Sequence, residues 1–243
     1  MYEQPDPRKA FYVFATGSKD SGKSYYCRAW FDAYPFDKLV IDPTHDVRKD
    51  FRREGIEFVD LGNGDALPTR FPVSHDENRP YVTAVFCPDM GAPTAMDDID
   101  RAAGLLLRGS DNHGMLWLDE VGESTTGNKT PPNHRRILHH GRHDNLQLLA
   151  AGPRAMDIDP LFIAQADLDA IFDCVSVYDI DRVAKTIGYD PGELADLNKE
   201  WCTHHRYLLY VRSERQLYKC PALPARRRGR NQYAPVPEPE GLQ

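Results

Sequence analysis

The chain has no apolar run approaching the roughly 20 residues that a membrane-spanning helix requires. Its first ten residues (MYEQPDPRKA) lack the apolar core of a secretory signal. Paired cysteines are missing as well. The five cysteines (Cys27, Cys87, Cys174, Cys202, Cys220) stand far apart without a C-x-x-C, an odd, scattered set that excludes a disulfide framework and suits reduced structural thiols. There is no basic excess: 30 Lys and Arg face 37 Asp and Glu, a formal charge of −7. That balance excludes nucleic-acid binding by bulk charge and leaves room only for a local basic patch. The nine histidines bunch at His134, His139, His140 and His143. No cysteine or carboxylate falls at ligand spacing, and Gly141 interrupts any helix that would align His139 with His143, so no zinc site is expected. These absences lead us to expect a soluble cytoplasmic protein. At 243 residues it is long enough to bury about 70% of its unfolded surface without covalent staples.

What is present is an alternation of short apolar runs with helix-compatible segments, the signature of an α/β protein with a mainly parallel sheet. Strands are expected at residues 10–15 (AFYVFA), 38–41 (KLVI), 81–86 (YVTAVF), 115–118 (MLWL), 146–151 (LQLLAA) and 170–178 (AIFDCVSVY). Helices are expected at 23–34, around 46–53, and at 96–108, 133–140, 181–188 and 191–199. A terminal hairpin is expected from 206–211 and 216–220. The stretch 122–132 (GESTTGNKTPP) reads as a flexible loop. We expect one domain over residues 1–220 and a disordered, basic, proline-rich tail over 221–243.

The strongest motif is Gly17-Ser18-Lys19-Asp20-Ser21-Gly22-Lys23-Ser24. It fits G-x-x-x-x-G-K-[ST] between a strand and a helix, where glycines let backbone amides curl around phosphate oxygens at a helix N-terminus. Residues 17–24 and Tyr25 are therefore the candidate ATP cradle. Lys23 suits the β- and γ-phosphates and the Ser24 hydroxyl suits Mg²⁺. The second acid that a magnesium site needs is Asp119, at the end of an apolar strand, and Glu120 beside it is the candidate for deprotonating the attacking water. Such a glutamate favours hydrolysis over a nucleotide or small-molecule kinase, which must exclude water; that kinase remains the alternative, as does a non-translocating ATP-dependent switch.

With these motifs placed, residues 10–220 resemble the FtsK–HerA superfamily of ATPases, most closely its small members that package viral genomes. The resemblance rests on residues 17–24, on Ile41-Asp42-Pro43 and on Leu116 to Glu120. It also rests on Ile137-Leu138-His139-His140-Gly141-Arg142-His143, on the segment 157–160, on Gln165-Ala166-Asp167 and on Ile171-Phe172. It implies a RecA-like sheet, a homo-oligomeric ring, usually a hexamer, and ATP hydrolysis that pulls double-stranded DNA through a pore. Packaging relatives dock on a capsid vertex, so association with a virion is a further expectation. A neighbouring subunit is expected to lend an arginine. Arg142 matches the family's Gly-Arg-x segment, with Arg135, Arg136 and Arg154 as rivals; the alternative for Arg142 is a surface arginine paired with an acid. One departure stands out. Where the family usually carries a polar sensor after the fifth strand, this chain reads Ala150-Ala151-Gly152-Pro153-Arg154. DNA contact is expected to be independent of sequence and weakened by salt. The candidates are Arg226-Arg227-Arg228-Gly229-Arg230 in the tail and a pore loop over 122–132, which includes Lys129.

Overall fold

The computed structural model describes Asp6 and residues 9–62, 66–78, 80–109, 113–125, 129–174, 176–224 and 240–241. The chain order is β1 (Tyr12–Thr16), α1 (Lys23–Ala33), β2 (Asp37–Ile41), α2 (Asp46–Glu54), β3 (Val59–Asp60), β4 (Thr83–Phe86) and α3 (Ala95–Gly109). There follow β5 (Gly114–Leu118), a 3-10 turn (Val121–Ser124), α4 (Pro132–His140), β6 (Leu146–Gly152), a second 3-10 turn (Ala155–Asp157), α5 (Pro160–Gln165) and β7 (Leu168–Ile171). The chain then forms α6 (Val177–Ile187), α7 (Pro191–Trp201), β8 (Tyr207–Val211), β9 (Gln216–Cys220) and the two-residue β10 (Glu240–Gly241).

The ten strands of the described residues join one sheet in the order β10-β9-β8-β7-β1-β6-β5-β2-β4-β3. From β7 to β3 every pairing is parallel. The hairpin β8–β9 then adds to β7 in the antiparallel sense. This is the expected RecA-like P-loop architecture: a mainly parallel sheet flanked by helices, with a C-terminal hairpin.

Because strand side chains alternate between faces, β1 feeds two cores. Tyr12 and Phe14 pack with α3, α4, α5, α6 and α7. Val13 and Ala15 pack with Tyr26, Cys27, Trp30 and Phe31 of α1 and with Val47 and Phe51 of α2. A sheet covered on both faces explains the nearly continuous apolar runs of its parallel strands. β6 sits between β1 and β5, with Ala15 opposite Ala151 and Leu118 opposite Ala150.

Two expectations need correction. The sixth strand does not run over 170–178: β7 stops at Ile171, and Val177 and Tyr178 open α6. Apolar content misled there, because Ile180, Val183, Ala184 and Ile187 carry the helical spacing that buries α6. The stretch 122–132 is not a free loop in its described part. Its first residues belong to a 3-10 turn, Ser124 and Thr125 are buried, and the Thr130 hydroxyl donates to Asp159 Oδ2 at 2.7 Å. Residues 126–128 lie outside the described residues, as does the arginine run 226–230. Two short elements carried too little pattern to be foreseen: β3, with two residues, and α5, with six.

Candidate functional site

The glycine-rich loop leaves the carboxyl end of β1 and enters α1, at the sheet edge where open α/β folds gather ligands. Its shape depends on positions that other residues resist. Gly17 has φ 149° and Gly22 φ 113°, with Asp20 at φ 60° between them. A Cβ at Gly17 would lie 2.6 Å from Phe172 Cβ, and one at Gly22 would lie 3.2 Å from the Phe172 ring. The loop therefore rests on Phe172, which stacks on Tyr207 with ring centroids 5.0 Å apart and meets Tyr26 edge-on at 5.9 Å.

A backbone clamp fixes the loop from the same side. The Ser18 N–H donates to the Asp173 carbonyl at 2.6 Å. Residues 172–174 are held in turn by the buried Asn198 of α7. Its Nδ2 donates to the Phe172 carbonyl at 2.8 Å, and its Oδ1 accepts from the Cys174 N–H at 3.0 Å. No local motif announced Phe172 or Asn198 as supports of this loop, since their partners are distant in sequence.

The predicted phosphate and metal residues converge. Lys23 Nζ donates to the Ser18 carbonyl at 2.8 Å, and Ser24 Oγ donates to Asp119 Oδ1 at 3.3 Å across 95 positions of sequence. Burial pulls the Lys23 ammonium below the usual lysine range, opposed by Glu120 and Asp119. Burial pushes the Asp119 carboxyl up to about 7, reinforced by Asp42 and Glu120 and opposed by Ser24 and Lys23. Glu120 is raised too, again chiefly by burial, with Lys23 opposing. Its backbone is left-handed, at φ 55°, a conformation that costs a residue with a side chain about 1–3 kcal/mol and recurs at functional sites.

Asp42, fully buried at the end of β2, completes the acidic wall. It accepts the N–H groups of Asp46 and Arg48 at 3.1 and 2.8 Å, so it starts α2 while its charge is felt by Asp119. An oxygen-only donor set of one carboxylate and one hydroxyl suits Mg²⁺, which keeps waters and takes its other ligands from substrate phosphates. Among the described residues no cluster of three or more His, Cys, Asp and Glu side chains could hold a metal by itself. His134 is buried against Asp100, its Nδ1 lying 3.1 Å from Oδ1, while His139 and His140 are exposed.

Arg142 is not brought to this cluster. It sits at the opposite, amino edge of the sheet, beside the starts of β1, β6 and β7. There its guanidinium lies 4.0 Å from the Tyr12 ring centroid and donates to Asp167 Oδ2 at 3.0 Å. Arg154 emerges from β6 at the same edge as Lys23 and Asp119. It is 61% exposed in its side chain and pairs with Asp157 at 3.5 Å. Arg135 and Arg136 are exposed on α4.

No protein-family model matches the chain, and no curated protein matches it in sequence. Solved structures do match in fold. The genome packaging NTPase B204 of Sulfolobus turreted icosahedral virus 2, solved in complex with AMPPCP, superposes with a TM-score of 0.63 at 19% identity, over 90% of this chain and 100% of that one. B204 of Sulfolobus turreted icosahedral virus, described as a DNA-packaging ATPase, gives 0.64 at 19% identity over 88% and 98%. VirB4 of Thermoanaerobacter pseudethanolicus gives 0.63 at 10% identity over 92% of each chain. In fold, the chain is similar to all three of these structures.

Proposed function

We propose that the chain is an ATPase of the FtsK–HerA type that uses hydrolysis to move double-stranded DNA, in the manner of a viral genome-packaging motor. The observation that carries the reading is the convergence of Lys23, Ser24, Asp119 and Glu120 on one glycine-curled loop at the carboxyl edge of the sheet. The amides of residues 22–25, at the start of α1, and the Lys23 ammonium bind the triphosphate. Ser24 and Asp119 would hold Mg²⁺, which supplies charge neutralisation at the β- and γ-phosphates. Glu120 orients a water for in-line attack and accepts its proton, and the raised proton affinity that burial gives it suits a base. A glutamate poised on water favours hydrolysis over transfer to a metabolite.

Arg154 is the better-placed candidate for sensing the γ-phosphate, because it leaves β6 at the nucleotide edge. For Arg142 the geometry supports a structural role. A homo-oligomeric ring, DNA contact through Arg226, Arg227, Arg228, Arg230 and Lys129, and docking on a capsid vertex complete the reading. The fold shared with nucleotide-bound B204 supports the nucleotide-binding part of the reading. Among the described residues no helix is long and apolar enough to cross a membrane.

The test is ATPase activity with and without duplex DNA. Stimulation by DNA that falls with salt is the expected result; DNA binding with negligible hydrolysis would favour the switch reading. Lys23→Ala is expected to weaken ATP binding at least tenfold. Glu120→Gln is expected to keep binding and lose about 100-fold or more in turnover. Unchanged turnover in Glu120→Gln would move the base elsewhere.

A further inference from the structure

The phosphate end of the site is defined by Ser24 and Asp119, and Asp119 follows β5, two strands to one side of β1. The nucleoside end of a bound triphosphate must therefore leave toward the other side, where β7, β8 and β9 lie. Three chain segments meet the same edge there. They are residues 172–174 after β7, residues 202–206 before the antiparallel β8, and residues 221–224 after β9.

The middle segment is unusual. His204 and His205 are consecutive residues with left-handed backbone, at φ 54° and 63°. Such pairs are rare outside glycine and persist only where the surroundings impose them. The surroundings here are explicit. Before the pair, the Cys202 N–H donates to the Asn198 carbonyl at 2.9 Å, and Cys202 Sγ donates to the Ile171 carbonyl at 3.3 Å. After it, the Arg206 guanidinium donates to Thr203 Oγ1 at 2.6 Å and lies 4.4 Å from the Trp201 ring centroid.

Between these anchors both imidazoles are exposed, and neither has a side-chain partner among the described residues. His205 is pressed to the phosphate loop: its Cβ lies 3.6 Å from where a Gly22 Cβ would stand. The third segment is tied to the loop's own helix, where the Tyr25 hydroxyl donates to the Pro224 carbonyl at 2.6 Å.

Building on the ATPase reading, we propose that His204, His205, Tyr25 and Pro224 form the nucleoside-binding wall of the site, with the His205 ring stacking on the base. The ligand class is the base and ribose of a nucleoside triphosphate. The strained turn serves to hold a flat, polar-edged ring at the mouth of the phosphate loop.

Calorimetric titration with Mg-ATP and with Mg-tripolyphosphate, which has the phosphates and no nucleoside, tests this on the full chain. His205→Ala is expected to weaken ATP about tenfold, the size of one base-stacking contact, and to leave tripolyphosphate within about twofold. His205→Gly removes the ring while accepting the left-handed backbone, so it should reproduce the loss with an unchanged or higher melting temperature. Unaltered ATP affinity in both variants would overturn the proposal. So would an equal loss for both ligands, which would make His205 a support of the loop. If the wild type bound neither ligand, the ATPase reading itself would fall; binding of both ligands by the wild type, with both variants matching it, would sink the wall alone.

Discussion

A methyl group at position 17 would collide with Phe172 and would sit on a backbone at φ 149°. Gly17→Ala is therefore expected to cost nucleotide affinity at least tenfold, because the loop must shift off its aromatic floor; titration of Mg-ATP checks this. Arg142 makes the opposite case, a conspicuous residue with structural partners. Losing its contact with the Tyr12 ring and its half-exposed pair with Asp167 should lower stability by about 1–2 kcal/mol. Urea unfolding of Arg142→Ala measures the loss. Mixing that variant with wild type should reduce ATPase only in proportion; a disproportionate fall would restore it as a residue acting across subunits. Lys23, Ser24, Asp119 and Glu120 were legible in the sequence because each belongs to a contiguous motif with its own chemistry. Asn198, His205 and the role of Phe172 beneath the loop were not, because each acts through a partner far along the chain: Asn198 reaches Phe172 across 26 positions.

Among the elements, long periodic segments were read well and short ones poorly. α1, α3 and α4 lie within a residue or so of their expected bounds because amphipathic spacing and punctuation agree. A Pro precedes α4, and Gly141 follows it. The six residues of α5 give no period to read, yet Asp159 fixes the helix by accepting the Leu161 N–H at 2.9 Å. The same carboxylate takes both the N–H and the hydroxyl of Thr130, at 3.2 and 2.7 Å. Asp190 caps α7 through the Glu193 N–H alone, also at 2.9 Å. Asp190→Ala should thus cost about 1 kcal/mol and Asp159→Ala about 2–3 kcal/mol. Equal costs in chemical denaturation would show that the Thr130 contacts contribute nothing.

For the whole molecule, the five free thiols predict an alkaline limit. Burial raises each of them above the ordinary value of 9.0, with Cys87, Cys202 and Cys220 pushed up to about 12. Above pH 9 the unfolded chain releases thiol protons that the folded chain keeps, so the stability present below pH 9 is lost as pH rises. Lys38 opposes this. Burial lowers it from 10.5 to about 8, so the folded state gains between those values. Five thiols outnumber the two lysines that burial lowers, Lys38 and Lys23, so the net is a loss of stability between pH 9 and 10. Denaturant midpoints at pH 8, 9 and 10 measure it, and Cys220→Ala should soften the decline.

The placement of β6 reaches furthest. It is hydrogen-bonded to β1 on one side and to β5 on the other, opposite Thr16 and Leu118, the last strand positions before the phosphate loop and Asp119 are reached. The two halves of the site are thereby spaced by two strand widths, roughly 10 Å, like jaws bolted to a common plate. Prying them apart would shear a buried ladder, so in the motor we propose any stroke would be delivered by what hangs from the rim: the turn after Glu120, Arg154 on its short tether, and, in the proposed ring, whatever a neighbouring copy presses against them.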